Sequence, residues 1–90
     1  MFIVVCYDVS DNKRRSKVSS ILKGFGTRVQ KSVFECDITS AQFDKLSARL
    51  AKVIKEKDGL RYYILCSNCI GKIEIVHGAP VTQTQLYFAV

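Results

Sequence analysis

The first apolar run of the chain, residues 2–7 (FIVVCY), contains no polar position and ends directly in Asp8. An unbroken apolar run of this length predicts a central β-strand with both faces covered. Asp8 then lies at the carboxyl end of that strand. Ser10 or Asp11 can cap a following helix, in which apolar residues recur at helical spacing over residues 18–25.

The next segment, TRVQKSVFECD at residues 27–37, is rich in β-branched and aromatic residues but does not alternate strictly. It predicts either two short strands in a tight hairpin or one bent strand with a bulge. Thr39 and Gln42 have the spacing of a capping box, which predicts the start of a second helix. The apolar stripe of that helix runs from Phe43 to Ile54.

Three further strands are predicted at residues 60–66 (LRYYILC), 72–76 (KIEIV) and 84–90 (TQLYFAV). The order strand, helix, strand pair, helix, strand predicts an α+β, ferredoxin-like βαββαβ sandwich within residues 1–78. Residues 79–90 then form an additional C-terminal strand. Its apolar end would be a liability if left exposed, so we expect it to dock on a dimer or on a partner.

The composition narrows the possible partners. Fourteen lysines and arginines stand against eight acidic residues, for a net charge of +6, and this excess favours nucleic acid, an anionic membrane or an acidic protein as a partner. No segment approaches the roughly 18 apolar residues of a membrane span. The N-terminal run is also too short for a signal peptide. We therefore expect a cytoplasmic protein with no membrane partner.

Cysteine and histidine give few candidates for chemistry. Cys66 and Cys69 have the spacing of a metal hairpin, yet a structural zinc site needs two more ligands. We interpret the cysteines as plain thiols of a reducing compartment. His77 is the only histidine and no nucleophile stands beside it, which argues against a catalytic triad.

Asp8 is the strongest candidate for chemistry, because sheet proteins often place site groups at the carboxyl end of a buried strand. A single carboxylate is a poor magnesium site, since magnesium prefers octahedral oxygen coordination. A neighbouring acid or a second subunit would have to contribute. Capping, salt bridging or plain solvation of Asp8 are the alternatives.

Arg14 and Arg15 are expected in the first turn of the first helix, close to the strand end that carries Asp8. An arginine fork pairs bidentately with either a carboxylate or a phosphate. Two interpretations follow, a salt bridge to Asp8 or a contact with nucleic-acid phosphate.

The segments YDVSDNKRRSKV, LKGFGTRVQKSVFECDI and YYILC, taken with their spacing, resemble the Cas-two family of small CRISPR-associated adaptation proteins. The resemblance implies a ferredoxin-like homodimer in which the two copies of Asp8 face each other and share a magnesium ion (Mg2+). It also implies two activities, metal-dependent endonuclease action on RNA or DNA and the bridging of CRISPR integrase subunits during spacer acquisition.

The resemblance also assigns roles to single residues. Those that match the family's site are Tyr7, Asp8, Arg15, Arg28 and Phe34. The expected nucleic-acid contacts are Arg14, Arg15, Lys17 and Arg28. Lys17 stands where some members have arginine, and lysine keeps the positive charge but lacks the planar guanidinium that binds a phosphate at two points. The bridging role is the expected function, with endonuclease activity second, and a stand-alone toxin-like endoribonuclease of similar fold is the alternative.

Overall fold

Four strands and two helices make up residues 1–66, the part of the chain that the computed structural model describes. In chain order these elements are β1 (Phe2–Asp8), α1 (Asn12–Lys23), β2 (Thr27–Gln30), β3 (Val33–Asp37), α2 (Ser40–Ala51) and β4 (Gly59–Leu65). The strands form one sheet in the order β2-β3-β1-β4, and every neighbouring pair is antiparallel. This order and topology confirm the predicted ferredoxin-like βαββαβ fold. The predicted strands at 72–76 and 84–90, together with Cys69 and His77, lie outside the described residues.

Residues 27–37, predicted as either a tight hairpin or a bent strand with a bulge, form a hairpin whose strand pairing also contains an irregularity. β2 and β3 pair antiparallel, and their register shifts between Arg28 and Gln30. A bulge of this kind bends a strand and redirects the side chains next to it. Arg28 lies opposite Phe34, immediately before the shift.

Both helices begin at the residues that the capping patterns predict. Asp11 caps α1, and its carboxylate accepts a hydrogen bond of 2.9 Å from the backbone N of Arg14. Thr39 caps α2 in a complete capping box with Gln42, through hydrogen bonds of 2.9 and 3.1 Å. Each cap satisfies backbone N–H groups that the helix itself leaves without partners.

The second helix ends earlier than its apolar stripe. α2 stops at Ala51, and the carbonyl of Leu50 accepts from the backbone N of both Val53 and Ile54 in the turn that follows. These two side chains still pack against the core. The stripe that extends to Ile54 is therefore built by a helix and a turn together.

The helices cover only one face of the sheet. On β1, Ile3 and Val5 are fully buried against them, whereas Val4 and Cys6 on the opposite face are half-buried. Within residues 1–66 the helical layer lies on one side of the sheet, so for these residues the prediction that both faces of β1 are covered is wrong. We call the uncovered side, with Val4, Cys6, Val33 and Tyr63, the open face.

The core lies between the sheet and the helices. Its fully or nearly fully buried members are Ile3, Val5, Tyr7, Val9, Val18, Leu22, Phe34, Cys36, Ile38, Leu46 and Leu50. Burial raises the pKa of the Cys36 thiol to about 11, which keeps that thiol protonated at neutral pH. Within residues 1–66, both helices are shorter than the length needed to cross a membrane, and neither is apolar enough.

Candidate nucleic-acid interface

Asp8 ends β1 with its side chain exposed to solvent. Within residues 1–66 its carboxylate has no hydrogen bond and no ion pair, so the salt bridge to an arginine is not formed. Gly59 lies directly opposite on β4, and a Cβ atom there would be 3.3 Å from the Cβ of Asp8. The glycine therefore leaves space beside the carboxylate.

A cleft of about 680 Å³ opens beside the end of β1 and runs along α1 to the β2–β3 turn. We call it the basic cleft, because it brings four cationic side chains around a single carboxylate. Its lining residues are Tyr7, Asp8, Val9, Ser10, Arg15, Ser16, Ser19, Ser20, Lys23, Arg28, Lys31 and Ser32. Four of the predicted site residues, from β1, α1 and β2, thus meet at one surface.

Arg15 lines the cleft and also braces the loop between β1 and α1. Its Nη1 donates to the carbonyl oxygens of Val9 at 3.1 Å and Ser10 at 3.4 Å, and its Nη2 donates to the side chain of Asn12. The loop that follows Asp8 is thereby tied to the first turn of α1. Arg15 consequently fixes the path of the backbone beside the carboxylate.

Arg28 reaches the cleft from β2 and is oriented by two groups. Its Nη2 donates a hydrogen bond of 2.8 Å to the Oγ of Ser19, and its guanidinium lies 5.7 Å from the centre of the Phe34 ring. Phe34 is fully buried and lies 6.3 Å from the ring of Tyr7. Phe34 therefore packs against the guanidinium of Arg28 and does not itself line the cleft.

Tyr7 is 5% exposed, and its hydroxyl lies 3.4 Å from the carbonyl oxygen of Lys31. Its ring belongs to the core while its hydroxyl reaches the rim of the cleft. Among the predicted site residues, Asp8, Arg15 and Arg28 are thus the ones that present charge to a ligand. Their roles in binding or catalysis stay predictions.

The other two predicted nucleic-acid contacts, Arg14 and Lys17, lie elsewhere. Arg14 forms a two-point ion pair with Asp58, with Nε–Oδ2 and Nη2–Oδ1 distances of 3.1 and 2.9 Å. This pairing lowers the pKa of Asp58, with a further contribution from the backbone N of Lys55. Both Arg14 and Lys17 border a second, smaller hollow outside the basic cleft.

Apart from Arg15, the residues of α1 that line the cleft were not predicted from the sequence. Ser16, Ser19, Ser20 and Lys23 follow one another at spacings of three, one and three residues, which places them on one face of α1. A polar stripe that combines small hydroxyl side chains with a terminal lysine is the signal that could have indicated this surface. Lys31 had no such signal, because its place in the cleft depends on the β2–β3 hairpin.

The carboxylates of the described residues do not make a metal site on their own. Within residues 1–66, no group of three or more histidine, cysteine, aspartate or glutamate side chains is placed to hold an ion. Among the described residues, Asp8 is the only acidic one that lines the basic cleft. Residues 1–66 of a single chain therefore do not supply the oxygen coordination that magnesium requires.

Fold and cleft together define a class of protein, a small ferredoxin-like domain that surrounds an exposed strand-end carboxylate with positive charge. The family model described as CRISPR associated protein Cas2 matches residues 1–73 of the chain. The chain belongs to this Cas2 family.

Relatives and solved structures agree with this assignment. The chain is 41% identical over 86 residues to CRISPR-associated endoribonuclease Cas2 1 of Chloroflexus aurantiacus, covering 93% of this chain and 92% of the relative. Crystalline Streptococcus pyogenes Cas2 matches with a TM-score of 0.75 and 37% identity, over 86% of this chain and all of that one. A chain of a partial Cas6-RT-Cas1--Cas2 complex matches with a TM-score of 0.77 and 31% identity, over 92% of this chain and 98% of that one.

Proposed function

We propose that the chain works in CRISPR adaptation as a nucleic-acid-binding homodimer that bridges integrase subunits during spacer acquisition. The observation that carries the proposal is the basic cleft, in which Arg15, Lys23, Arg28 and Lys31 surround a single carboxylate. The structural match to a chain of a Cas1--Cas2 complex supports an integrase subunit, Cas1, as the partner.

The chemistry of the cleft suits a phosphate backbone better than it suits bases. Arginine forks and lysine ammonium groups bind phosphate oxygens, and serine hydroxyls add neutral donors. The aromatic rings of Tyr7 and Phe34 are buried, so within the cleft they offer no platform for stacking. The proposed binding is therefore independent of sequence and strongly weakened by salt.

The open face supports the homodimer. Val4, Cys6 and Val33 are half-buried there, and Tyr63 is 47% exposed. Glu35 and Arg61 lie opposite Val4 and Cys6 on the same face, so this surface combines apolar side chains with charges of both signs, and a second copy of the chain would bury it. A twofold interface pairs identical surfaces, so it doubles every group near its axis. Asp8 follows Val4 and Cys6 at intervals of two residues along β1, so it lies on the same side of the sheet.

A second activity, magnesium-dependent hydrolysis of RNA or DNA, is favoured by one observation, the exposed Asp8 carboxylate without an intramolecular partner within residues 1–66. The matched relative from Chloroflexus aurantiacus carries the name endoribonuclease. Two copies of Asp8, one from each protomer, would hold the ion, which when bound supplies Lewis-acid polarisation of a phosphate. Arg15 and Arg28 would hold that phosphate beside the two carboxylates.

Asp8→Asn separates the two activities. We expect the variant to bind duplex DNA and to support integration with the integrase subunit like the wild type, while magnesium-dependent cleavage of RNA and DNA substrates is lost. Arg28→Gln is the matched variant for binding, and it should weaken DNA binding and integration together. Integration that fails in Asp8→Asn with DNA binding intact would contradict the bridging role as proposed. Cleavage that survives both the substitution and removal of magnesium would point to a contaminating nuclease.

The predicted C-terminal strand provides the test of partner docking. On our proposal it adds to the sheet of an integrase subunit, as edge strands do in β-augmentation. Deleting residues 86–90 should then abolish the complex with the integrase subunit but leave the affinity for duplex DNA within about a factor of two of wild type. A truncated chain that still forms the complex would exclude this docking mode.

A further inference from the structure

We propose that a second group of lysines on the helical side extends the nucleic-acid footprint beyond the basic cleft, by binding the sugar–phosphate backbone of a longer duplex. This lysine patch consists of Lys13, Lys17, Lys52 and Lys55, all exposed, around a hollow of about 350 Å³. The inference rests on the proposed function, because it assigns a further surface to the same nucleic acid.

The ion pair between Arg14 and Asp58 assembles the patch. Asp58 is 1% exposed at its side chain, and its Oδ2 accepts both from Arg14 of α1 and from the backbone N of Lys55 at 2.9 Å. One carboxylate thus connects the start of α1 to the turn before β4. The lysines of α1 and those that follow α2 are held around one hollow as a result.

The same ion pair decides which cations remain available to a ligand. The guanidinium of Arg14 is paired with the carboxylate of Asp58, and its Nη1 also lies 3.8 Å from the Oδ2 of Asp11. Within residues 1–66, none of the four patch lysines forms an ion pair. Asp11 also lines the hollow, and Arg14 is shared between Asp11 and Asp58. The positive charge of the patch therefore comes from its four lysines, which outnumber the remaining negative charge and bind phosphates as point charges without a fixed geometry.

A polyanion fits this surface better than a protein partner does. Val53 is the only apolar side chain that residues 1–66 contribute to the lining of the hollow. Protein interfaces generally place aromatic or aliphatic anchors at their centre and are depleted in lysine. The lysine patch has the opposite composition, which is the composition of phosphate-contacting surfaces.

Helix α1 connects the two surfaces. At about 100° per residue, Lys13 and Lys17 lie roughly 60° and 100° around the helix from Ser16, which lines the basic cleft. Both surfaces therefore flank the solvent side of the same helix. A backbone seated in the cleft can continue across α1 onto the patch, provided that the nucleic acid is long enough.

The test compares the salt dependence of binding for two DNA duplexes, one of about one helical turn and one of about three turns. The patch variant is Lys17→Gln combined with Lys52→Gln, and the control is Lys45→Gln, an exposed lysine of α2 that does not line the hollow. For the long duplex, the slope of log Kd against log salt should fall in the patch variant by up to about 1.8 for each protomer that contacts the duplex, because each protomer loses two phosphate contacts and each contact removes about 0.9. The short duplex and the control variant should keep the wild-type slope.

An unchanged slope for the long duplex, with the wild type binding normally, would overturn the inference and leave the proposed function standing. If the patch variant then lost affinity for the integrase subunit, the lysines would belong to an acidic protein surface instead. Failure of the wild type to bind either duplex would overturn the proposed function itself, and this inference with it.

Discussion

Arg28 donates a hydrogen bond of 2.8 Å to the Oγ of Ser19, a buried hydroxyl of α1. The bond connects β2 to the helix across the floor of the basic cleft. Because the guanidinium also lies over Phe34, its plane is fixed from two directions. An arginine held in this way loses less conformational entropy when it meets a phosphate.

Ser19→Ala should weaken nucleic-acid binding without removing any charge. Loss of the hydrogen bond to Arg28 is expected to cost about 1 kcal/mol, or roughly fivefold in Kd. The salt slope should stay at the wild-type value, since Arg28 remains charged. Fluorescence anisotropy at several salt concentrations measures both quantities, and Ser40→Ala at the exposed start of α2 is the control.

A double-mutant cycle with Arg28→Gln distinguishes positioning from a general loss of structure. If Ser19 acts through Arg28, then Ser19→Ala has no further effect on Kd in the Arg28→Gln background. Additive effects of the two substitutions would show that Ser19 contributes independently of Arg28.

The homodimer is tested at Val4, in the middle of the open face and directly opposite Tyr63. Val4→Arg places a charge at the proposed interface, where burial without a partner is costly. Light scattering coupled to size-exclusion chromatography should show a dimer for the wild type and a monomer for the variant. Ala48→Arg, on the exposed side of α2, adds the same charge elsewhere and should remain dimeric. A dimeric Val4→Arg protein would exclude the open face as the interface.

Two glycines near the end of α1 are expected to respond to alanine in opposite ways. A Cβ atom at Gly26 would lie 2.3 Å from the carbonyl oxygen of Glu35 and 2.5 Å from the Sγ of Cys36. Gly26→Ala should therefore reduce the free energy of unfolding by about 1–3 kcal/mol through overpacking.

Gly24→Ala is its matched control, because Gly24 has ordinary right-handed helical angles and a Cβ there meets only one atom, at 3.4 Å. Alanine restricts the unfolded chain, so this variant should be about 0.4–1 kcal/mol more stable than wild type. Urea unfolding at a fixed protein concentration measures both variants. Equal destabilisation by the two alanines would contradict the packing around Gly26.

Acid should weaken the contact between α1 and the turn before β4. The Arg14 hydrogen bond lowers the pKa of Asp58 below its ordinary value of 3.8 in the folded chain. A carboxyl with a lowered pKa stabilises the fold above its unfolded pKa, and that stabilisation disappears as the pH falls through the folded pKa. The stability contributed by the pair is therefore present at neutral pH and lost below about pH 4.

Thermal unfolding of wild type and Asp58→Asn between neutral pH and acid measures this contribution. The variant should melt at a lower temperature at pH 7, and the gap to wild type should narrow as the pH falls below 3.8. Asp44→Asn, at an exposed position of α2, is the control substitution. A gap that stays constant with pH would show that Asp58 stabilises the fold through its shape and not through its charge.

Those structural elements that depend on near neighbours could be predicted from the order of the residues. The capping residue Thr39, the choice of Ser10 or Asp11 as the first cap, and the strand that ends in Asp8 were identified from spacing alone, because helix caps and apolar runs depend on residues a few positions apart. Together these elements predicted the ferredoxin-like fold, and the matching segments indicated the family.

The pairing of charged side chains depends instead on the folded backbone. Arg14 pairs with Asp58, 44 positions away, instead of with Asp8 a few residues before it. Ser19 meets Arg28 and not solvent, and Lys31 joins the cleft through the β2–β3 hairpin. The partner of a long charged side chain depends on the path of the whole backbone, and local spacing carries no information about that path.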